Sequence, residues 1–447
     1  MHRTLPLSRV IDLTDATGNR VYNMTIDEAR ELVASGDAGA VGRIEGEFAL
    51  IGQRGRTIFF ARTIGRLLRY FIAKWHDGPI LIVADRIDAI RDQLNELGLG
   101  DQFHPSYTRM VPAHHLMRLE LVGCPDPSPT CDRFFAPTQN SLPADPTAIG
   151  ERYIGAAYNE IVRWLDRVPA REPIGVCFSG GIDSGSVFLL TYHALLRRGD
   201  SPSRLKTFTL EVDGGSPDLD QAREFLSRLG LELFLEPISV RSADVKIEDA
   251  IRVIEDYKPL DVQSAAMALA MCRGIRARYP EWKYLLDGDG GDENLKDYPI
   301  EDNPELTIRS VLNNLMLYQE GWGVQAIKHS LTYSGGQSRG YARTYAPLAV
   351  TGFTGLSPFV CPSVIEVAEG IPFIELTSWD HEKLYALKGQ VVAAGVKAIT
   401  GLDMPVFPKR RFQHGATTKP KDLFPTSPAA YRRIFQRVYD AGAALHG

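Results

Sequence analysis

An apolar run over residues 174–178 leads directly into Ser179-Gly180-Gly181-Ile182-Asp183-Ser184, and a helix-like pattern follows over 184–198. This junction constrains the fold more than any other feature. A continuous apolar run of that length reads as a strand buried on both faces, and a strand entering a helix through a tight turn opens a βαβ unit. Two adjacent glycines let backbone amides approach a ligand closely, and the helix N-terminus adds partial positive charge, so the turn can cradle a phosphate or pyrophosphate. No Gly-Lys-Ser/Thr follows, which separates the turn from a Walker A loop. Asp183 instead offers a hard oxygen suited to Mg²⁺. The plainer alternative is a helix N-cap, a position where Asp and Ser are common.

The surrounding pattern extends the βαβ reading. Strands are predicted over 206–212, 231–238 and 284–286, with helices over 147–168 and 221–229, and the pattern is mostly helical from Ile308 onward. Strands alternating with helices at these lengths imply a parallel sheet. The strand 284–286 enters a second turn, Gly288-Asp289-Gly290-Gly291-Asp292-Glu293. Two acidic turns at the carboxyl ends of parallel strands make a sensible site for a metal-bound nucleotide. A solvated acidic turn is the plainer reading of the second one taken alone.

Residues 1–123 differ in character. Short apolar segments (47–51, 57–61, 80–84, 116–122) are separated by glycines and polar turns, with helices predicted over 25–35 and 86–97. This describes a strand-rich domain. Six prolines between Pro125 and Pro146 cannot sustain a helix or a central strand, so 124–146 reads as a linker and 147–447 as the second domain.

Composition sets the outer limits. Hydrophobic residues are 44% and charged residues 23%, an ordinary soluble globular mixture. The net charge of −5 gives no global attraction to nucleic acid or anionic membrane, so neither is expected as a partner. Five cysteines without a C-x-x-C pair fit a reducing cytoplasm, and no apolar run approaches the roughly 18 residues of a membrane span. Residues 1–12 lack a signal-peptide core. His114 and His115 have no further ligand at metal spacing and read as structural or surface residues.

The string at 179–184 resembles the pyrophosphate loop S-G-G-x-D-S of the N-type ATP pyrophosphatases, and Gly288 to Glu293 resembles the G-E-G-x-D-E loop of asparagine synthetases, with Asp289 in place of the usual Glu. The resemblance implies a PP-loop synthetase domain, of adenine-nucleotide α-hydrolase-like α/β fold with a helical C-terminal part, using ATP and Mg²⁺. It places Phe178, Ser179, Gly180, Gly181, Asp183, Ser184 and Gly288 at the nucleotide and Asp183 and Asp292 on the metal. A basic segment from Pro408 to Lys421 holds five Lys and Arg residues and no carboxylate. By composition it is either a nucleic-acid contact or a solvated turn, but it is similar to the K-x-x-F-x-x-G segment of asparagine synthetase. Lys409 is then the residue that stabilises charge in the acyl-adenylate reaction, with Arg411, Gln413 and His414 completing a lid by residue type.

The first domain resembles the asparagine synthetase glutaminase domain, of N-terminal nucleophile (Ntn) hydrolase fold. Gly46-Glu47-Phe48-Ala49 matches its G-x-F-A pattern and the run from Ala61 to Tyr70 its R-D-x-x-G-x-R-P-L-Y pattern, Thr63 and Leu67 departing from it. That chemistry needs an N-terminal cysteine, whereas this sequence starts Met1-His2-Arg3 and has its first cysteine at Cys124. Glutamine hydrolysis is therefore not expected. The same loss characterises β-lactam and carbapenam synthetases, whose catalytic Tyr corresponds to Tyr318. Their Glu and Arg are replaced by Thr354 and Leu356 in Gly352-Phe353-Thr354-Gly355-Leu356-Ser357-Pro358-Phe359, so their cyclisation is not supported.

The expected function is an AMP-forming ligase that adenylates a small-molecule carboxylate and joins it to an amine or ammonia. The alternative is a sulfur or nitrogen transferase that activates a carbonyl oxygen. The sulfur version needs a reactive cysteine; Cys177, Cys124 and Cys131 are the candidates. A non-catalytic nucleotide-binding scaffold is the third reading, and a homodimer is left open.

Overall fold

The computed structural model describes residues 9–120, 129–298, 300, 307–313, 345–408, 415–417 and 423–440. These group into two compact units, one of residues 9–136 with 436–440 and the other of residues 137–313 with 345–435.

In the first unit, β1 (Arg9–Asp12), β2 (Arg20–Val21), β3 (Gly46–Glu47), β4 (Ala49–Arg54), β5 (Thr57–Arg62), β6 (Arg69–Ala73), β7 (Ile80–Ala84), β8 (Arg109–Met110), β9 (His115–Glu120) and β10 (Thr130–Arg133) form two four-stranded sheets and a short β2–β3 pair. One sheet has the order β1-β7-β6-β8 and the other β10-β9-β5-β4. Strand periodicity explains how they stack. Leu81, Val83 and Tyr70 of the first sheet meet Ile58, Phe60, Met117 and Leu119 of the second in one core. The opposite face of β7, with Ile80, Ile82 and Ala84, packs on Ile90 and Leu94 of the helix Ile87–Glu96. Ala29 and Val33 of the helix Ile26–Ser35 cover Leu50, Phe59 and Ala61 on the outer face of the second sheet. The result is four layers, helix, sheet, sheet, helix, which explains why β7 reads as an unbroken apolar run.

Within the proline-rich stretch the chain does form a strand. β10 pairs only with β9 and sits at the sheet edge, where flanking prolines interrupt no central ladder.

The second unit is built on β11 (Ile174–Cys177), β12 (Leu205–Val212), β13 (Leu235–Val240), β14 (Tyr284–Leu286) and β15 (Thr354–Leu356), all parallel in the order β13-β12-β11-β14-β15. The chain winds outward from β11 to β13, returns through the helix Pro259–Arg278, and resumes at β14 on the other side of β11. Winding therefore reverses between β11 and β14, and a crevice opens at their carboxyl ends. β15 falls in the stretch compared above with the cyclising enzymes: Thr354 and Leu356 pair with Tyr284 and Leu286 of β14. The helix His381–Thr400 lies against the helices Pro146–Leu165 and Ile182–Arg197. Its approach to the first is so close that a methyl group at Gly395 would meet the Gly150 carbonyl oxygen at 2.2 Å. No helix among the described residues is long and apolar enough to cross a membrane.

Candidate active site

The loop after β11 has the geometry its glycines imply. Gly180 adopts φ +70°, and a β-carbon there would lie 2.8 Å from the Ala222 backbone nitrogen, so only glycine fits. The helix Ile182–Arg197 begins at once, with Gly181 as its N-cap and Asp183 in its first turn. Hydroxyls tie the loop together: the Ser179 backbone N–H donates to Ser184 Oγ at 3.2 Å and the Gly181 N–H to Ser179 Oγ at 3.3 Å. Gln221 Nε2 donates to the Ser179 carbonyl at 3.2 Å and fixes the loop from the neighbouring helix. Ser179, Gly180, Gly181, Asp183 and Ser184 thus form one turn at a helix N-terminus. Phe178 points elsewhere. Its ring packs edge-on against Phe188 and Phe225, while its N–H donates to the Phe208 carbonyl and its carbonyl accepts from Thr209 Oγ1.

The loop after β14 presses on the first. A β-carbon at Gly288 would sit 2.7 Å from the Asp183 carbonyl carbon, and one at Gly291 would sit 2.2 Å from Asp183 Oδ1. Glycine at 288 and 291 is what lets the two loops touch. Asp287 supports this loop by accepting from the Asp289 N–H and from Ser357 Oγ beside β15. Asn294 donates to the Phe359 carbonyl at 2.8 Å and to Tyr153 Oη at 3.1 Å.

Asp183 and Asp292 converge on one point, and a side chain that sequence reasoning missed lies there. Lys388 Nζ, from the helix His381–Thr400, donates to Asp183 Oδ2 at 2.6 Å and to Asp292 Oδ1, with Asp297 Oδ2 at 3.4 Å. Its side chain is 2% exposed, while Asp183 and Asp292 are 20% and 22% exposed. Burial alone would lower the Lys388 ammonium, but Asp183, Asp292 and Asp297 outweigh it and hold it well above the usual lysine range. A signal existed in the sequence. Lys388 falls on the same helical stripe as Leu384, Val391, Val392 and Gly395, all buried, where an unpaired lysine would be costly.

The donor set fits the ion that the sequence suggested. Mg²⁺ is commonly held by one or two carboxylates together with substrate phosphates, and here two hard oxygens point to one place beside an anion cradle.

Lys409, Tyr318, Arg411, Gln413, His414 and Cys124 lie outside the described residues. Within the basic segment, Gly415 and Ala416 are anchored beside the carboxyl end of β12: Ser216 Oγ donates to the Gly415 carbonyl, and the Val212 N–H at the end of β12 donates to the Ala416 carbonyl. Among the described cysteines, burial pushes the Cys177 thiol well above its usual range, Cys272 up to about 12 and Cys131 up to about 11. Such thiols stay protonated and are poor nucleophiles. His114 and His115 are buried in the first unit, His114 between the rings of Phe134 and Phe135 and lowered well below the usual histidine range by burial. They are structural.

Comparison with known proteins agrees with the two loops. The family model for asparagine synthase matches residues 165–345, which include both. An asparagine synthetase of Lotus japonicus, named as glutamine-hydrolyzing, is 26% identical over 254 residues, 56% of this chain and 39% of that protein. Asparagine synthetase B of Escherichia coli is 28% identical over 175 residues, 34% of this chain and 31% of that protein. The chain thus spans less than two-fifths of the length of these curated relatives. Among solved structures, NMN synthetase from Francisella tularensis aligns with 60% of this chain and 99% of its own, at 14% identity and a TM-score of 0.24. Residues 165–345, which hold both loops, are therefore similar to the asparagine synthase family.

Proposed function

We propose that this protein is an ATP-dependent, AMP-forming ligase that adenylates a small-molecule carboxylate and joins it to an amine or ammonia without hydrolysing glutamine. The observation that carries the reading is the convergence of Asp183 and Asp292 beside the glycine cradle at the carboxyl ends of β11 and β14. Mg²⁺ on these carboxylates would neutralise the leaving pyrophosphate. The amides of 179–184 and the helix N-terminus would hold the phosphates, with Gly288 keeping the second loop in contact with the first. The substrate carboxylate attacks the α-phosphorus and pyrophosphate departs; the amine then attacks the acyl carbon, losing a proton, and AMP departs. Lys409 would stabilise charge in that second step, and Tyr318 is the residue proposed beside the acceptor.

Two features support independence from glutamine. Arg62, in the run that resembles a glutaminase motif, is fully buried and donates to the backbone carbonyls of Val111 and Arg66. The only cysteine among the described residues of the first unit is Cys131, an unreactive thiol on the edge strand β10. The four-layer order of that unit supports a degenerate Ntn-hydrolase-like scaffold.

Phosphorus NMR of the protein with Mg·ATP and pooled small metabolites tests the reading. AMP and pyrophosphate, lost in Asp183→Asn, are expected. ADP and phosphate would overturn it.

A further inference from the structure

We propose that Lys388 is a positioning residue for the cation site: its ammonium is an internal counter-ion that holds Asp183 and Asp292 together and competes with a divalent cation for their oxygens. The inference rests on reading those two aspartates as cation ligands. Four observations carry it.

Lys388 reaches the site from the helix His381–Thr400, 205 residues along the chain from Asp183 and 96 from Asp292, so no local turn accounts for the meeting. Its ammonium is sealed from solvent at 2% exposure, whereas the aspartates stay partly open. A lysine buried in this way needs compensating carboxylates, and two carboxylates pressed together by Gly288 and Gly291 need a cation between them. Each requirement answers the other.

The atoms that meet Lys388 Nζ are the same carboxylate oxygens that would hold a metal. A divalent ion at about 2.1 Å from them would stand within a few ångströms of a fixed positive charge, and like charges at that range repel strongly in a partly buried site. Asp297 supplies the fourth observation. Its Oδ2 lies 3.4 Å from Nζ, close enough to receive the ammonium when a cation takes the other two carboxylates. Lys388 therefore keeps the two loops assembled in the absence of ligand and sets a threshold against cation binding before nucleotide phosphates add their own ligands.

Titration of the full chain with Mn²⁺ alone, without nucleotide, followed by electron paramagnetic resonance, tests this. Lys388→Gln removes the competing charge but can still hydrogen-bond, and should bind Mn²⁺ about tenfold more tightly than the unsubstituted protein. Lys388→Arg keeps the charge and should not. Thermal unfolding gives a second readout: Mn²⁺ should raise the Tm of Lys388→Gln more than that of the unsubstituted protein, because the ion replaces the missing counter-charge. A purely structural lysine would leave a deficit that Mn²⁺ does not repair. Equal or weaker Mn²⁺ binding by folded Lys388→Gln overturns the proposal while leaving the ligase reading intact. If Lys388→Gln does not fold even with Mn²⁺, Asp297→Asn decides: weaker Mn²⁺ binding supports the hand-over, and unchanged binding overturns it. Mn²⁺ binding that survives Asp183→Asn and Asp292→Asn would instead remove the aspartates as ligands, and the proposal with them.

Discussion

Charged side chains are buried in both units, but to opposite effect. In the first, the Arg62 guanidinium is fully enclosed and donates mainly to the backbone carbonyls of Val111, Arg66 and Thr63, with one further bond to Met110 Sδ. Thr63, which stands where the resemblance expects Asp, bonds Phe48 through its backbone N–H and accepts the Phe48 N–H on Oγ1. The two motif-like runs of that unit therefore meet each other. In the second unit Lys388 is sealed, while Asp183 and Asp292, which it joins, remain about one-fifth exposed at the carboxyl ends of β11 and β14. A charge whose hydrogen bonds are consumed by backbone holds a fold; a charge balanced by partly open groups can still exchange a partner. The same kind of residue is closed on by backbone in one place and meets partly open carboxylates in the other.

The sharpest break of this comparison is Asp183→Asn. It should lower AMP and pyrophosphate formation by at least about 10³-fold, measured by pyrophosphate release, with an unchanged circular dichroism spectrum. Arg62→Met is its counterpart: losing the donors to buried carbonyls should cost about 3 kcal/mol in urea unfolding of the first unit, while turnover per folded molecule stays the same. A reversal of these two outcomes would invert the assignment of the units.

Asp256 sharpens the contrast within the second unit. It is fully buried just before the helix Pro259–Arg278, and burial pushes its carboxyl up to about 7, against the pull of Lys258. The folded protein then keeps a proton that the unfolded chain releases near pH 4, so the penalty is absent below about pH 4, grows as pH rises toward 7 and is constant above. Asp256→Asn should stabilise the protein by about 2 kcal/mol at pH 8 and change little at pH 4, as denaturant titrations at the two pH values would report.

Gly288→Ala is smaller again. Its methyl group would collide with the Asp183 backbone and force the loops apart, so KM for Mg·ATP should rise about tenfold with little change in Tm. Cys131→Ser and Cys177→Ser should leave turnover within about twofold, since neither thiol is available as a nucleophile. A large loss in either would revive sulfur chemistry.

Much of the fold was legible where local pattern and tertiary context agree. The strands Ile80–Ala84 and Tyr284–Leu286 have the limits read from their apolar runs, and the helix Ile26–Ser35 starts one residue inside its predicted range, after a Thr25–Glu28 capping box. β6 and β15 were missed for different reasons. Arg69–Ala73 begins with an arginine and was absorbed into a motif comparison, although every residue but Ile72 is buried. Thr354–Leu356 has three residues and a central glycine, too little for any periodic signal; its pairing with β14 defines it. The resemblance puts Phe178 at the nucleotide; in the structure its ring packs into the core against Phe188 and Phe225, a side-chain direction that the motif alone does not give.

By itself the sequence determined the two glycine-rich acidic loops and the helix that follows the first, because a tight turn and a helix N-terminus are made by residues within a few positions of one another. It also determined that each unit has strands with apolar faces to bury. Only the tertiary structure decided that Asp183, Asp292 and Lys388 meet. That meeting depends on the winding reversal between β11 and β14 and on a later helix laid across it. Strand order is set by how all the apolar faces pack at once, and a lysine on an apolar stripe has no readable partner until that packing supplies one.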